Sequence, residues 1–244
     1  SPITPTHLPA LLAATTPPKF NLIILDPPWP NRSAKRKRTG AGSYHPAPDL
    51  SSIHALLSHI PVASRLAPGG LVAVWVTNAA RFAELLTGTV FPREWGVELV
   101  GEWTWVKVTT AGEPVVGVGS AWRRPWERLL IGRRKGGLPG GGRLGQVKGK
   151  VIVSVPDVHS RKPNLRGLFE EEMALVPGRY EALEVFARNL TAGWWAWGDE
   201  VLLFQRRECW VEGGEGEGEG KGEGEGKGEG RGEGEGEVEG EVGT

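Results

Sequence analysis

The sequence predicts an α/β fold, with helices covering both faces of a sheet, followed by a disordered acidic tail. Apolar runs of strand length, such as FNLIIL at 20–25 and LVAVWVT at 71–77, show no polar alternation, which is how strands buried on both faces read. Stretches with helical spacing lie between these runs, and strands alternating with helices build βαβ units. From residue 212 onward glycine takes nearly every second position, so the chain lacks the apolar side chains that would offset the entropy of ordering it.

The first strand, 20–25, is stopped by Pro27-Pro28, which leaves Asp26 at its carboxyl end. A basic, glycine-containing loop occupies 32–42. Helical spacing covers 50–66 and stops at Pro68-Gly69-Gly70. A strand at 71–77, a helix from 79 to about 90, and strands at 98–108 and 128–133 follow. A long glycine-rich, basic connection covers 132–149. The rest reads as a strand at 150–155, a helix at 165–175, a strand at 182–186 and a last strand, EVLLF, at 200–204. The expected boundaries are 1–19 for an N-terminal extension, 20–211 for the folded domain and 212–244 for the Gly/Glu tail. Because the chain starts at Ser1 and not at Met, the extension is expected to be the remainder of a longer segment.

All 244 residues together balance 29 Lys+Arg against 29 Asp+Glu. That neutrality hides two opposed parts. Residues 212–244 carry 12 Glu against 3 basic residues, a net −9, which leaves 26 basic against 17 acidic residues, a net +9, on the remainder. A basic body of this kind favours a nucleic-acid partner. Cys209 is the single cysteine, so no internal disulfide is expected, and without a Cys/His cluster no metal is expected either. The natural reading is a reducing compartment. No apolar run approaches the roughly 20 residues of a membrane span, and no signal peptide is read.

Ligands of such sheets bind outside the carboxyl ends of the strands. Three strand ends carry chemistry: Asp26-Pro27-Pro28-Trp29, the segment His159-Ser160-Arg161-Lys162-Pro163, and Arg188-Asn189. A carboxylate followed by two prolines and an aromatic residue suits an amine conjugated to a ring. The N6 nitrogen of adenine is a poor nucleophile because its lone pair is delocalised into the purine. A carboxylate and a backbone carbonyl, each accepting one N–H, drive it toward tetrahedral geometry, and proline fixes the backbone that aims the carbonyl. Trp29 would stack on the base. The competing reading is a strand-ending turn with a core tryptophan.

In order, NLIILDPPW, LVAVWVTN, WTWVKV, RPWERLLIG, KVIVSVP with HSRKP, and EVFARN with GWWAWGDEVLLF resemble the eukaryotic N6-adenine methyltransferases that bear the Asp-Pro-Pro-Trp signature, and within them the methyltransferase-like protein 4 subfamily. The resemblance implies a class I, Rossmann-like methyltransferase with a mixed, mostly parallel sheet and permuted motif order, using S-adenosylmethionine. It implies that Asp26, Pro27, Pro28 and Trp29 meet the target amine and that Asp26 also touches the cofactor. Lys162 would take the cofactor carboxylate, Arg188, Asn189 and Asp199 would hold its ribose and nearby atoms, and Glu127 would lie beside the target adenine. The physical chemistry agrees: an ammonium suits a carboxylate, and an aspartate accepts two hydroxyl hydrogen bonds. Competing readings are a solvated lysine and a capping aspartate. Two departures stand out. Asp199 occupies a position where the family usually has asparagine, and nothing in 1–19 matches the acidic segment that contacts the cofactor adenine, so that contact lies upstream or cofactor binding is weakened.

Arg32, Lys35, Arg36, Lys37 and Arg38 follow the catalytic motif closely enough to meet a phosphate backbone at its mouth. A solvated run and a nuclear localisation signal are the alternatives. Tyr44 is a candidate for lining the target pocket, and Arg123, Arg124, Arg133, Arg134 and Lys135 for extending the basic surface. The expected function is N6-adenine methylation of nucleic acid, either 2′-O-methyladenosine in small nuclear RNA or adenine in DNA, by a monomeric protein of the nucleus or also the cytoplasm. A catalytically silent nucleic-acid-binding partner of another methyltransferase subunit is the second hypothesis. A methyltransferase for protein glutamine or a small amine is the third, and the +9 body argues against it.

Overall fold

The computed structural model describes residues 18–30, 47–120, 123–135, 145–157, 161–202 and 205. Arg32, Lys35, Arg36, Lys37, Arg38, Tyr44 and the tail lie outside the described residues.

An inner strand of the sheet is β1, Phe20–Leu25, whose apolar run is buried as expected. It pairs in parallel with β2, Leu66–Val76, on one side and β6, Ala182–Val185, on the other. The remaining strands are β3, Val97–Lys107; β4, Trp126–Arg134; β5, Lys150–Ser154; and β7, Trp195–Trp197. They complete a seven-stranded sheet in the order β5-β3-β4-β2-β1-β6-β7. Only β4 runs against the others, antiparallel to both β2 and β3. The sheet is therefore mixed and mostly parallel, a Rossmann-like arrangement. Reversal of β4 has one functional result: its first residues lie at the edge where the parallel strands end.

Alternation along β1 feeds two cores. Ile23 and Leu25 pack with Ile53 and Leu57 on one face, and Leu22 and Ile24 with Trp75, Trp103 and Phe169 on the other. Trp75, Trp95 and Trp103 are among the largest fully buried side chains. Helix α1, Leu50–Ser58, starts where the Asp49 carboxylate accepts the Ser52 amide at 2.8 Å. The helix expected over 50–66 is broken. Pro61 has no amide to donate, and a separate turn, α2, Val62–Arg65, leads directly into β2. Likewise α3, Ala80–Leu85, passes into a π-helical segment, Leu86–Glu94, that buries Leu86, Val90 and Phe91. Glu94 clasps that segment to α1 through His54 at 2.5 Å and Ser58 at 2.9 Å. On the other face, α4, Arg166–Glu172, buries Phe169 against Trp103, with ring centres 4.5 Å apart.

The strand expected at 200–204 is corrected over its described residues, 200–202; 203 and 204 lie outside them. Val201 and Leu202 form a turn, Leu202 is 63% exposed, and the last strand among the described residues is β7, paired with Leu183, Glu184 and Val185 of β6. Close packing explains the early end. A Cβ on Gly198 would stand 2.6 Å from the Ala187 carbonyl oxygen, so only glycine fits where β7 ends.

Gly101, beside a register irregularity in β3, is the clearest test of the sheet's packing. Its Cβ would meet the Val147 Cβ at 2.7 Å and the Val147 carbonyl oxygen at 3.0 Å. Gly101→Ala is expected to destabilise the protein by about 1–3 kcal/mol through overpacking, measured by denaturant unfolding.

Candidate active site

Asp26 leaves the carboxyl end of β1, where its amide donates to the Val185 carbonyl of β6 at 3.2 Å. Its carboxylate faces Lys162, whose Nζ is 3.0 Å from Oδ1 and 3.0 Å from Oδ2. The same ammonium reaches Glu127 Oε2 at 3.2 Å and lies 5.9 Å from the Trp75 ring centre. Glu127 is the second residue of β4, and Lys107, the last residue of β3, bonds its other oxygen, Oε1. Two carboxylates and two ammoniums thus alternate in the order Asp26, Lys162, Glu127, Lys107.

The alternation makes the two acids unequal. Burial pushes the Asp26 carboxyl above the usual aspartate range, and Glu127 adds to this, while Lys162 only partly opposes it. Burial also acts to raise Glu127, but Lys162 and Lys107 together outweigh it and hold that carboxyl below the usual range. For Lys162, burial alone would favour the neutral amine. Asp26 and Glu127 reverse that and keep it charged.

The segment after β1 fixes Asp26 in place. Trp29 donates its amide to the Pro27 carbonyl at 2.8 Å, and Ala47 donates to the Pro28 carbonyl at 2.8 Å. Each proline carbonyl keeps a second lone pair. The expectation that Trp29 stacks on a base is corrected. Trp29 is 4% exposed, its Nε1–H donates to the Trp75 carbonyl at 2.7 Å, and its ring lies 4.8 Å from that of Phe82. It serves as the core tryptophan that anchors the turn.

Beside Asp26 opens a cleft lined by Trp75, Lys162, Asn164, Glu184, Asn189 and Thr191, among others. Asn189 and Lys162 therefore line the same cleft. Arg188 pairs with Glu200 at 3.2 Å while its charge also acts on the Asp26 carboxyl, and Asp199 is exposed in the turn after β7. Arg133, Arg134 and Lys135 do not extend a basic surface at this edge. Arg133 and Arg134 end β4, roughly 25 Å along the strand from its start, with Lys135 just beyond, and Arg133 and Arg134 donate to the carbonyls of Gly145 and Leu66. Arg124 lies just before β4 and stacks on Trp126, 5.4 Å from its ring centre.

Sequence reasoning missed Lys107 and Glu184. Each had a signal: a lone charged residue inside an apolar strand pattern, in WTWVKV and in ALEV. Glu184 pairs with Ile24 across β1 and β6, so the two-residue repeat puts its side chain on the same face as Ile24 and Asp26.

A family model, MT-A70, matches residues 20–200. The chain belongs to the MT-A70 family. It is 60% identical over 203 residues to the N6-methyladenosine RNA methyltransferase MTA1 of Cryphonectria parasitica, covering 82% of this chain and 56% of that protein. It is 38% identical over 201 residues to the N(6)-adenine-specific methyltransferase METTL4 of Homo sapiens, covering 79% and 39%. Against the DNA N6-methyl methyltransferase of Caenorhabditis elegans the identity is 33% over 191 residues, covering 76% and 47%. The chain thus spans about half the length of these relatives or less. The MT-A70 match covers every strand, so the cluster around Lys162 lies inside the family's domain. Among the described residues no helix is long and apolar enough to cross a membrane, and no group of three or more His, Cys, Asp or Glu is placed to hold a metal.

Burial, with a smaller contribution from Asp26, raises Glu184 from the ordinary 4.5 to about 7, and a hydrogen bond with Thr191 opposes the rise. Between those values the folded protein keeps a proton that the unfolded chain has lost. Stability therefore falls as pH rises through this window, by up to about 3 kcal/mol once Glu184 is ionised. Glu184→Gln is expected to unfold at higher denaturant than wild type at pH 8 and to lose much of the pH 5 to pH 8 difference. An unchanged difference would show that the carboxylate is solvated.

Proposed function

We propose that this chain transfers a methyl group from S-adenosylmethionine to the N6 amine of adenine in nucleic acid, with RNA as the substrate. The observation that carries the reading is the buried Asp26 carboxylate at the end of β1, paired with Lys162, which also pairs with Glu127 and lines the cleft. RNA is favoured because the relative 60% identical over 82% of the chain is named for N6-methyladenosine in RNA, whereas the one named for DNA is 33% identical. A methylated 2′ oxygen on the target nucleotide is one of the forms to be tested.

The donor set fits the cofactor. The cleft offers an ammonium, Lys162, to a carboxylate, and an acidic group, Glu184, to a cation, with Asp26 bonded to Lys162; Asn189 and Thr191 are neutral hydrogen-bonding partners. When bound, the cofactor supplies an electrophilic methyl group. The protein's own residues do the rest. Asp26 accepts one N–H of the amine, and its raised basicity makes it the stronger acceptor of the two acids. A Pro27 or Pro28 carbonyl supplies the second acceptor. Together they localise the nitrogen lone pair. Lys162 opposes the burial that favours the protonated form of Asp26. Arg32, Lys35, Arg36, Lys37 and Arg38 guide the phosphate backbone, and the protein acts in the nucleus. A silent partner is disfavoured because such a protein needs neither Asp26 nor Lys162.

The deciding assay measures methyl transfer from labelled cofactor to matched RNA and DNA oligonucleotides, with and without 2′-O-methylation. Transfer to RNA is expected; no transfer to any adenine oligonucleotide overturns the reading. Asp26→Asn is expected to fold and to lose about 10²–10³ in rate, as removal of an electrostatic interaction does.

Replacement of Lys35, Arg36, Lys37 and Arg38 by Ser is expected to flatten the plot of log affinity against log salt by roughly 0.7–0.9 for each phosphate no longer neutralised. Cofactor affinity should hold. An unchanged salt slope would make the run a solvated or localisation segment.

A further inference from the structure

Lys107 is fixed at the end of β3 by its own backbone. Its amide donates to the Pro125 carbonyl at 2.7 Å, and its carbonyl accepts the Val115 amide at 3.1 Å. Its ammonium lies 4.6 Å from the Trp105 ring centre and bonds Glu127 Oε1, while Lys162 takes Oε2 at 3.2 Å. Each Glu127 oxygen therefore has its own cation, from a different element. Without Lys107, Lys162 would be the counter-ion of two carboxylates at once, in a site that water screens poorly.

We propose that Lys107 is a positioning residue for methyl transfer: by holding one oxygen of Glu127 it keeps Lys162 divided between Glu127 and Asp26. Its effect on rate rests on the function proposed above. The arrangement it maintains belongs to the protein alone.

The charged groups facing Glu127 are Lys107 from β3, Lys162 from the loop that precedes α4, and Asp26 from the end of β1. Burial pushes the Glu127 carboxyl up, and the two lysines more than offset this. Removal of one lysine must let the carboxyl titrate at higher pH. If Lys107 only filled space against Trp105, methionine would replace it and the titration would not move.

The test compares the whole chain with Lys107→Met and Lys107→Arg; Lys107→Gln replaces the methionine variant if that one fails to fold. The Glu127 carboxyl is followed by 13C NMR in protein labelled at glutamate side chains, its signal identified by its disappearance in Glu127→Gln. The midpoint is expected to rise by about 1 or more in Lys107→Met, as removal of an adjacent opposite charge requires, and to return in Lys107→Arg. The acid limb of the pH profile of kcat/KM should move with it. An unmoved midpoint in Lys107→Met overturns the proposal, as does a moved midpoint with an unmoved rate profile. If the wild-type chain methylates no oligonucleotide, the proposed function falls, while the NMR midpoints still decide whether Lys107 sets the state of Glu127.

Discussion

A single ammonium, that of Lys162, joins the ends of two strands that do not pair with each other in the sheet. It bridges the carboxylate that ends β1 and the one that begins β4, with the buried ring of Trp75 close by on the strand between them. Removing either carboxylate would leave a buried charge less well compensated, and removing the lysine would set two like charges together. Both changes are costly in a poorly solvated site. The bridge exists only because β4 is reversed. A parallel strand in its place would carry Glu127 to the opposite edge of the sheet, as Arg133 and Arg134 are carried.

This accounts for what was legible in the sequence. The central strands could be read because burial on both faces leaves an uninterrupted apolar run, as in FNLIIL and LVAVWVT. The site acids and the lysine could be found because they stand at chain breaks marked by proline: Asp26 before Pro27, Lys162 before Pro163, Glu127 shortly after Pro125. Strand direction could not be read. Nothing in WERLLIGRR says whether its glutamate or its arginines face the ligand edge, and the basic residues at its end were accordingly placed on the wrong side.

The remaining errors have local causes. Helical spacing over 50–66 continues through Pro61 because Val62 and Leu66 keep the apolar repeat while the backbone cannot follow it. EVLLF has the composition of a strand, but Trp195–Trp197 already occupies the edge beside β6, and the described part of the segment, 200–202, lies in a turn. Lys107 and Glu184 were passed over because each is one charged residue in an apolar segment, a pattern that burial alone leaves ambiguous. Only the facing charges show that these positions are used.

Trp29 shows how a signature residue can be recognised correctly and given the wrong task. Aromatic rings stack on bases, and a tryptophan after a carboxylate and two prolines invites that role. Its indole nitrogen instead reaches across to the Trp75 carbonyl, and its ring fills the core beside Phe82. Since the Trp29 amide also closes a tight turn on Pro27, the side chain and the backbone of one residue hold both ends of the segment that carries Asp26. A carboxylate displaced by an ångström would lose either Lys162 or its aim at the cleft. The large apolar side chain thus contributes to the chemistry through rigidity, by fixing where a smaller, charged neighbour stands.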